Sequence, residues 1–211
     1  MKNIRKEQDR WRCFVLELDI LDIWPEVRIS PFGVVDKGNT DPLVNGQAIH
    51  DLSFPDGASI NDATDTASLC QLMFQPCDAI AREIMCQQDL HPDTDVLLQA
   101  GDRHVGTHSR SAYLFGGRLE AANALVIDTS AAFGWSGSPA SYDVGGGAIA
   151  YLHDRSVNVA RGAGTFNYVW VDDHINVAAD IGSNCADVEQ SLRLAMTTAL
   201  GHGAINEDKS T

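Results

Sequence analysis

Residues 168–177, YVWVDDHINV, set four apolar strand formers before two adjacent carboxylates and then resume as an alternation. Tyr168, Val169, Trp170 and Val171 are apolar on both faces, whereas Ile175 and Val177 alternate with His174 and Asn176. That pattern predicts a β-hairpin with Asp172 and Asp173 near its tip. Elsewhere the apolar spacing changes to the helical period. Between Pro76 and Gln88, the residues Cys77, Ile80, Ala81, Ile84 and Met85 fall at i, i+3, i+4, i+7 and i+8, which predicts a helix closed off by Pro92. A second helix is predicted after Ser183 or Asn184 as cap, with Val188, Leu192, Ala195 and Ala199 on one face and Gly201 as its stop.

Short apolar runs bounded by turn residues supply the strands. VRISPFGVVDKG and QAIHDLSFPDG make the first third strand-and-loop, and residues 96–100 form a strand that runs into Gly101-Asp102. Residues 112–115 and 124–127 are two further strand candidates, and 204–206 a short closing strand. Residues 133–147, FGWSGSPASYDVGGG, read as a glycine-rich loop leading into a helical segment at 148–152. From Val96 onward the order is strand, strand pair, helix, hairpin, helix, strand. It predicts an α+β sandwich, with helices on one face of an antiparallel sheet, and places Asp102 on a strand beside Asp172 and Asp173.

The composition, 211 residues with 44% hydrophobic and 21% charged, is that of a globular chain able to bury a core as one domain or two small lobes. No apolar run reaches the length of a membrane span, and MKNIRKEQDRW has no apolar core behind its basic residues, so no membrane partner and an intracellular location, cytoplasmic or nuclear, are expected. The five cysteines lack paired CxxC spacing, which supports neither a disulfide framework nor a zinc site. A net charge of −14 argues against broad, unaided nucleic-acid binding, which draws its affinity from Lys and Arg on phosphates.

The acidic pair is where chemistry enters. Two carboxylates roughly 4 Å apart repel by about 4 kcal/mol at an effective dielectric near 20, so a fold that keeps both ionised supplies a counter-cation. Hard oxygen donors suit Mg²⁺ or Mn²⁺. A solvated Asp-Asp turn accounts for the same two residues equally well.

Taken in order, the motifs resemble the reverse transcriptases of retrotransposons, in particular DIRS-like and related elements, over nearly the whole chain. VRISPFGVVDKG and QAIHDLSFPDGASIND are similar to the two fingers motifs, LLQAGD to the strand carrying the first catalytic aspartate, AFGWSGSPASY to the palm loop, WVDD to the paired-aspartate motif and AINEDKST to the last palm motif. The resemblance implies fingers and palm, with an N-terminal extension over 1–24, a fingers-like region over 25–75 and a palm-like region over 76–211, the thumb and RNase H regions being absent. It implies Asp102, Asp172 and Asp173 as metal ligands and catalytic residues, and Lys209 as proton donor to the departing pyrophosphate. Phe133, Gly134, Trp135, Gly137, Ser138, Pro139 and Lys37 would face nucleotide or template, the glycines by close backbone approach and the aromatics by stacking. The implied cofactor is Mg²⁺ or Mn²⁺, and the implied partners are a primer–template and a dNTP.

Three departures lower the activity that the resemblance implies. Asp102 runs directly into Arg103-His104-Val105 instead of leading to the family's ribose-screening aromatic, Gln47 stands where the family has an arginine, and Ala132 replaces the palm-loop proline. A weakly active or inactive polymerase domain, a retroelement remnant without catalysis, and an unrelated metal-dependent hydrolase using His104, His108 or His174 all remain open on the sequence. Taken singly, Lys209 and Lys37 read as solvated lysines, Trp135 as a core residue and the three histidines as surface or turn residues.

Overall fold

The computed structural model describes residues 2–9, 12–35, 47–103, 115–158, 160, 162 and 164–207. The chain divides into two compact units, each assembled from two stretches: residues 1–69 with 106–138, and residues 70–105 with 139–211. Its first half carries α1 (Lys2–Asp9), β1 (Cys13–Glu17), α2 (Ile20–Ile23), β2 (Arg28–Ile29), β3 (Phe32–Val35), β4 (Gln47–His50), α3 (Asp78–Leu90) and β5 (Val96–Asp102). The second half adds β6 (Phe115–Leu119), β7 (Ala124–Asp128), α4 (Ser138–His153), β8 (Tyr168–Trp170), β9 (Asp173–Ala179) and α5 (Asn184–Leu200). The chain is thus mixed α+β, and no helix among the described residues is long and apolar enough to cross a membrane.

The first unit is built on a four-stranded sheet in the order β1-β7-β6-β2, antiparallel except where β2 meets β6. β7 carries the apolar run Leu125-Val126-Ile127, all buried, so the strand is covered on both of its faces. β1 pairs along its full length with β7, so residues expected in an N-terminal extension are a strand of this sheet. Val27, Leu125 and Ile127 form one core cluster with Trp24 and Leu16 packed on it, and Leu52, Phe115 and Ala132 form another with Ile60 and Trp135. The two motifs read as strand-and-loop supply β3 and β4, which pair antiparallel, Phe32 opposite His50.

The second unit holds an antiparallel sheet in the order β5-β9-β8. Past α5 the chain returns to the free side of β5, where Ile205 bridges antiparallel to Arg103. Strand, helix, hairpin, helix and returning bridge follow the split βαβ arrangement. Register and alternation give Gln99, Gly101, His174 and Asn176 one face of the sheet. That face meets α4 and α5: Leu192 and Met196 of α5 lie 3.0 Å from where a Gly101 Cβ would stand, and His153 of α4 reaches Asn176 at 3.1 Å. α3 runs against β9.

Three predicted elements change, and a fourth lies mostly outside the described residues. Residues 138–147 are helical, not loop: α4 starts at Ser138 and continues through Gly145, Gly146 and Gly147, whose low helix propensity is overridden by packing described below. α3 turns a different stripe inward from the predicted one. Ile80 and Ile84 are shielded as expected, but Cys77, Ala81 and Met85 are exposed, and the protected side is completed by Glu83 and the buried Gln87, whose amide donates to Glu83 at 2.7 Å. The closing strand is reduced to a 3-10 turn, His202–Ala204, and the single Ile205 bridge. Of the strand predicted at 112–115, residues 112–114 lie outside the described residues and β6 begins at Phe115.

Candidate metal centre

The hairpin predicted at 168–177 forms, with β8 and β9 joined by Val171 and Asp172. A two-residue hairpin of this kind needs a positive φ at its first central position, and Val171 takes it at +50°. Glycine ordinarily fills such a position; a β-branched residue there stores about 1–3 kcal/mol of strain. Asp173 opens β9 and pairs across the ladder with Asp102, the last residue of β5. Cross-strand partners share a face, so Asp102 and Asp173 project from the same side, opposite the one covered by α4 and α5.

One carboxylate oxygen from each of Asp102, Asp172 and Asp173 lies within 4.8 Å of the others. Asp102 is 2% exposed, and the other two acids are half-buried. Backbone bonds hold the strand end from both sides: the Arg103 N–H donates to the Asp172 carbonyl at 3.0 Å, and the Asn206 N–H donates to the Asp102 carbonyl at 3.0 Å. Two oxygens on one Mg²⁺ or Mn²⁺ stand at most about 4.2 Å apart, twice a ligand distance of about 2.1 Å, so small side-chain rotations close the triad on an ion. Three hard, anionic donors are the set these cations take.

The same face is covered along β9, where Val177 and Ala179 are buried, and exposed at its flanks. Leu98 and Ala100 of β5 are exposed, as is Trp170 of β8, whose ring lies 5.0 Å from that of Phe74. Tyr168, on this face but buried, donates its hydroxyl to the Gln75 carbonyl at 3.0 Å.

Behind the acids, on the helix side, lies a residue that sequence reasoning did not credit. Arg103 is fully buried, and its Nη2 donates to the carbonyls of Val171 at 2.7 Å and Tyr142 at 2.8 Å, tying the hairpin turn to α4. Burial pushes the guanidinium down to about 10, against the opposing pull of Tyr142 and of Asp172, Asp173 and Asp102, so it is charged at neutral pH. Gly146 is what admits it: a Cβ there would stand 2.4 Å from Nη2 and 2.7 Å from Val169. Alternation gave the missing signal, since Arg103 follows Gln99 and Gly101 on the helix-facing side.

His174 is no ligand for these acids. It is fully buried on the helix side, with Nδ1 3.1 Å from Asn167, and burial together with Arg103 and His153 holds it well below its ordinary range, hence neutral. The expectation of a surface or turn histidine is thereby corrected. His104 and His108 lie outside the described residues, as do Lys37 and Lys209.

The loop residues assigned to nucleotide or template belong, except Pro139, to the first unit. Phe133 is 86% exposed, and Gly134 takes a positive φ of 92°. Trp135 is half-buried and packs on the core: it lies on Phe115 with centroids 5.8 Å apart, and its indole N–H donates to Thr64 at 2.9 Å. A Cβ on Gly137 would stand 2.3 Å from that indole, so the close approach this glycine permits is to Trp135. Ser138 donates its hydroxyl to the Ala132 carbonyl at 2.6 Å, closing the loop at the start of α4, and Pro139 lies in the first turn, where a missing N–H costs nothing.

Neither the protein-family models nor the curated proteins contain a match to this chain.

Proposed function

We propose that the second unit is the metal-binding palm of a reverse-transcriptase-like nucleotidyl transferase, derived from the RNA-directed DNA polymerase of a retroelement and weak in polymerisation. The observation that carries this reading is the meeting of Asp102, from the end of one strand, with Asp172 and Asp173, from a hairpin far later in the chain. The order of the surrounding motifs supports it. Mg²⁺ or Mn²⁺, when bound, lowers the pKa of a primer 3′-hydroxyl and neutralises the triphosphate. The chain's own part is to hold three oxygens at one edge of a rigid ladder, with Asp102 buried enough that its charge acts at low dielectric. Trp170 and Leu98 offer apolar surface on the same face for a primer–template, and a dNTP would enter beside the acids. Weak activity follows from the sequence after Asp102, where Arg103 begins a segment without the family's aromatic.

Primer extension tests this, with an RNA template, dNTPs and either cation. The parent gives slow Mn²⁺-dependent incorporation, and Asp172→Asn abolishes it. Incorporation by Asp172→Asn at the parent rate refutes the assignment. If no extension occurs, Mn²⁺-induced paramagnetic broadening confined to Asp102, Asp172 and Asp173 supports a palm that has kept its metal and lost its chemistry. An absence of broadening removes the metal as well.

A further inference from the structure

Behind the acids of the second unit, on the opposite face of the sheet, stands the fully buried Arg103. Arg103 joins the site to its surroundings at three points: its backbone N–H holds the Asp172 carbonyl, and its Nη2 holds the carbonyls of Val171 and Tyr142. Two of those three carbonyls are the two residues of the hairpin turn. The side chain is 0% exposed, and among the described residues its Nε and Nη1 have no hydrogen-bond partner, so no ion pair consumes its charge. α4 leaves a glycine where the guanidinium needs room, at a helical position where glycine itself costs about 1 kcal/mol relative to alanine.

We propose that Arg103 is the built-in counter-cation of the acidic triad: it orders the Asp172 turn with no metal present and, as a fixed like charge behind the site, weakens the divalent cation that the triad takes. Arg103 is thus a positioning residue that touches no reacting atom. The fold that needed a cation to hold two adjacent carboxylates has supplied one covalently, and the added ion meets a site whose charge is already partly offset. The second half of the statement rests on the metal-binding reading above; the first does not.

Amide hydrogen exchange on the full chain tests the first half. Without metal, the Arg103 amide and the β9 amides are protected, and saturating Mn²⁺ changes their exchange less than about twofold. Exchange at the rate of an unstructured peptide until Mn²⁺ is added overturns it. Mn²⁺ titration of Arg103→Gln tests the second. Glutamine keeps a donor and loses the charge, so its Mn²⁺ dissociation constant falls by about tenfold. A folded Arg103→Gln that binds Mn²⁺ no tighter than the parent overturns the electrostatic claim. If Arg103→Gln does not fold, the decision passes to exchange in the parent. If neither the parent nor any variant binds Mn²⁺, the metal reading falls and the exchange result still decides what Arg103 does.

Discussion

Replacing Gly146 by alanine sets two opposing quantities against each other at one position of α4. Alanine in a helix interior gains about 1 kcal/mol over glycine. The new methyl, however, would stand 2.4 Å from the Arg103 Nη2, 2.7 Å from Val169 and 3.3 Å from the Arg103 Cζ. A guanidinium at the end of a free side chain would swing away cheaply; this one is held by two carbonyls and fully buried. Overpacking costs about 1–3 kcal/mol, and each lost bond from a charged donor adds about 1.5–3. With one of the two bonds lost, the net for Gly146→Ala is a destabilisation of about 1.5–5 kcal/mol. Its neighbour is the control, since a Cβ on Gly147 meets nothing within 4 Å, and Gly147→Ala therefore stabilises by up to about 1 kcal/mol. Urea unfolding followed by far-ultraviolet circular dichroism measures both, with the slope checked for constancy. The expected result is a midpoint for Gly146→Ala well below the parent and one for Gly147→Ala at or above it. Equal midpoints for the two alanines would show that the guanidinium moves freely, and the account of Arg103 as a fixed strut would fail with it.

Two further outcomes follow from local features. Val171→Gly relieves a positive φ on a β-branched residue and raises stability by about 1 kcal/mol after the entropy of glycine is subtracted; a loss of stability in the same urea assay would place the turn in another conformation. Cys13 is buried, and burial, then Asp128 and Glu7, push its thiol from the ordinary 9.0 up to about 11. A raised pKa means the folded state holds the proton more tightly. Its contribution is therefore complete below pH 9 and is lost as pH rises through about 11, a fall of about 2 kcal/mol that Cys13→Ala lacks. Iodoacetamide at pH 8, read by mass spectrometry, labels the exposed Cys70, Cys77 and Cys86 and spares Cys13; equal labelling contradicts the burial.

The parts legible in the sequence are those where one period dominates. The alternation of Ile175 and Val177 with His174 and Asn176 fixed the hairpin, and the spacing of Val188, Leu192 and Ala195 fixed the buried side of α5, because burial repeats at the period of the element. Where a local preference and a tertiary demand conflict, the sequence misleads. Three consecutive glycines argue for loop, yet α4 runs through them because Arg103 occupies the space a side chain at Gly146 would fill. Met85 fits an apolar stripe, yet α3 buries Gln87, whose amide finds Glu83 one turn earlier. Within the candidate site, the acids were visible and their meeting was inferred from element order. In the sequence Arg103 reads only as an interruption after Asp102, because a residue that works from behind a sheet belongs to no linear motif. The resemblance sets Trp135 and Gly137 among the residues facing nucleotide or template, whereas the structure packs the Trp135 indole over Gly137.

The interleaving of the two units also sets a timetable for synthesis. Segments of the first and second units alternate along the chain, so β1 emerges from the ribosome long before β7, its neighbour in the sheet, and β5 long before β9. The first unit completes its set of strands once residue 138 is out, while β5 still waits with an unpaired edge and Asp102 still lacks its companions. The acidic cluster therefore forms only after the first unit is complete, and a nascent chain stalled between β7 and β8 would carry a finished first unit and half of the second.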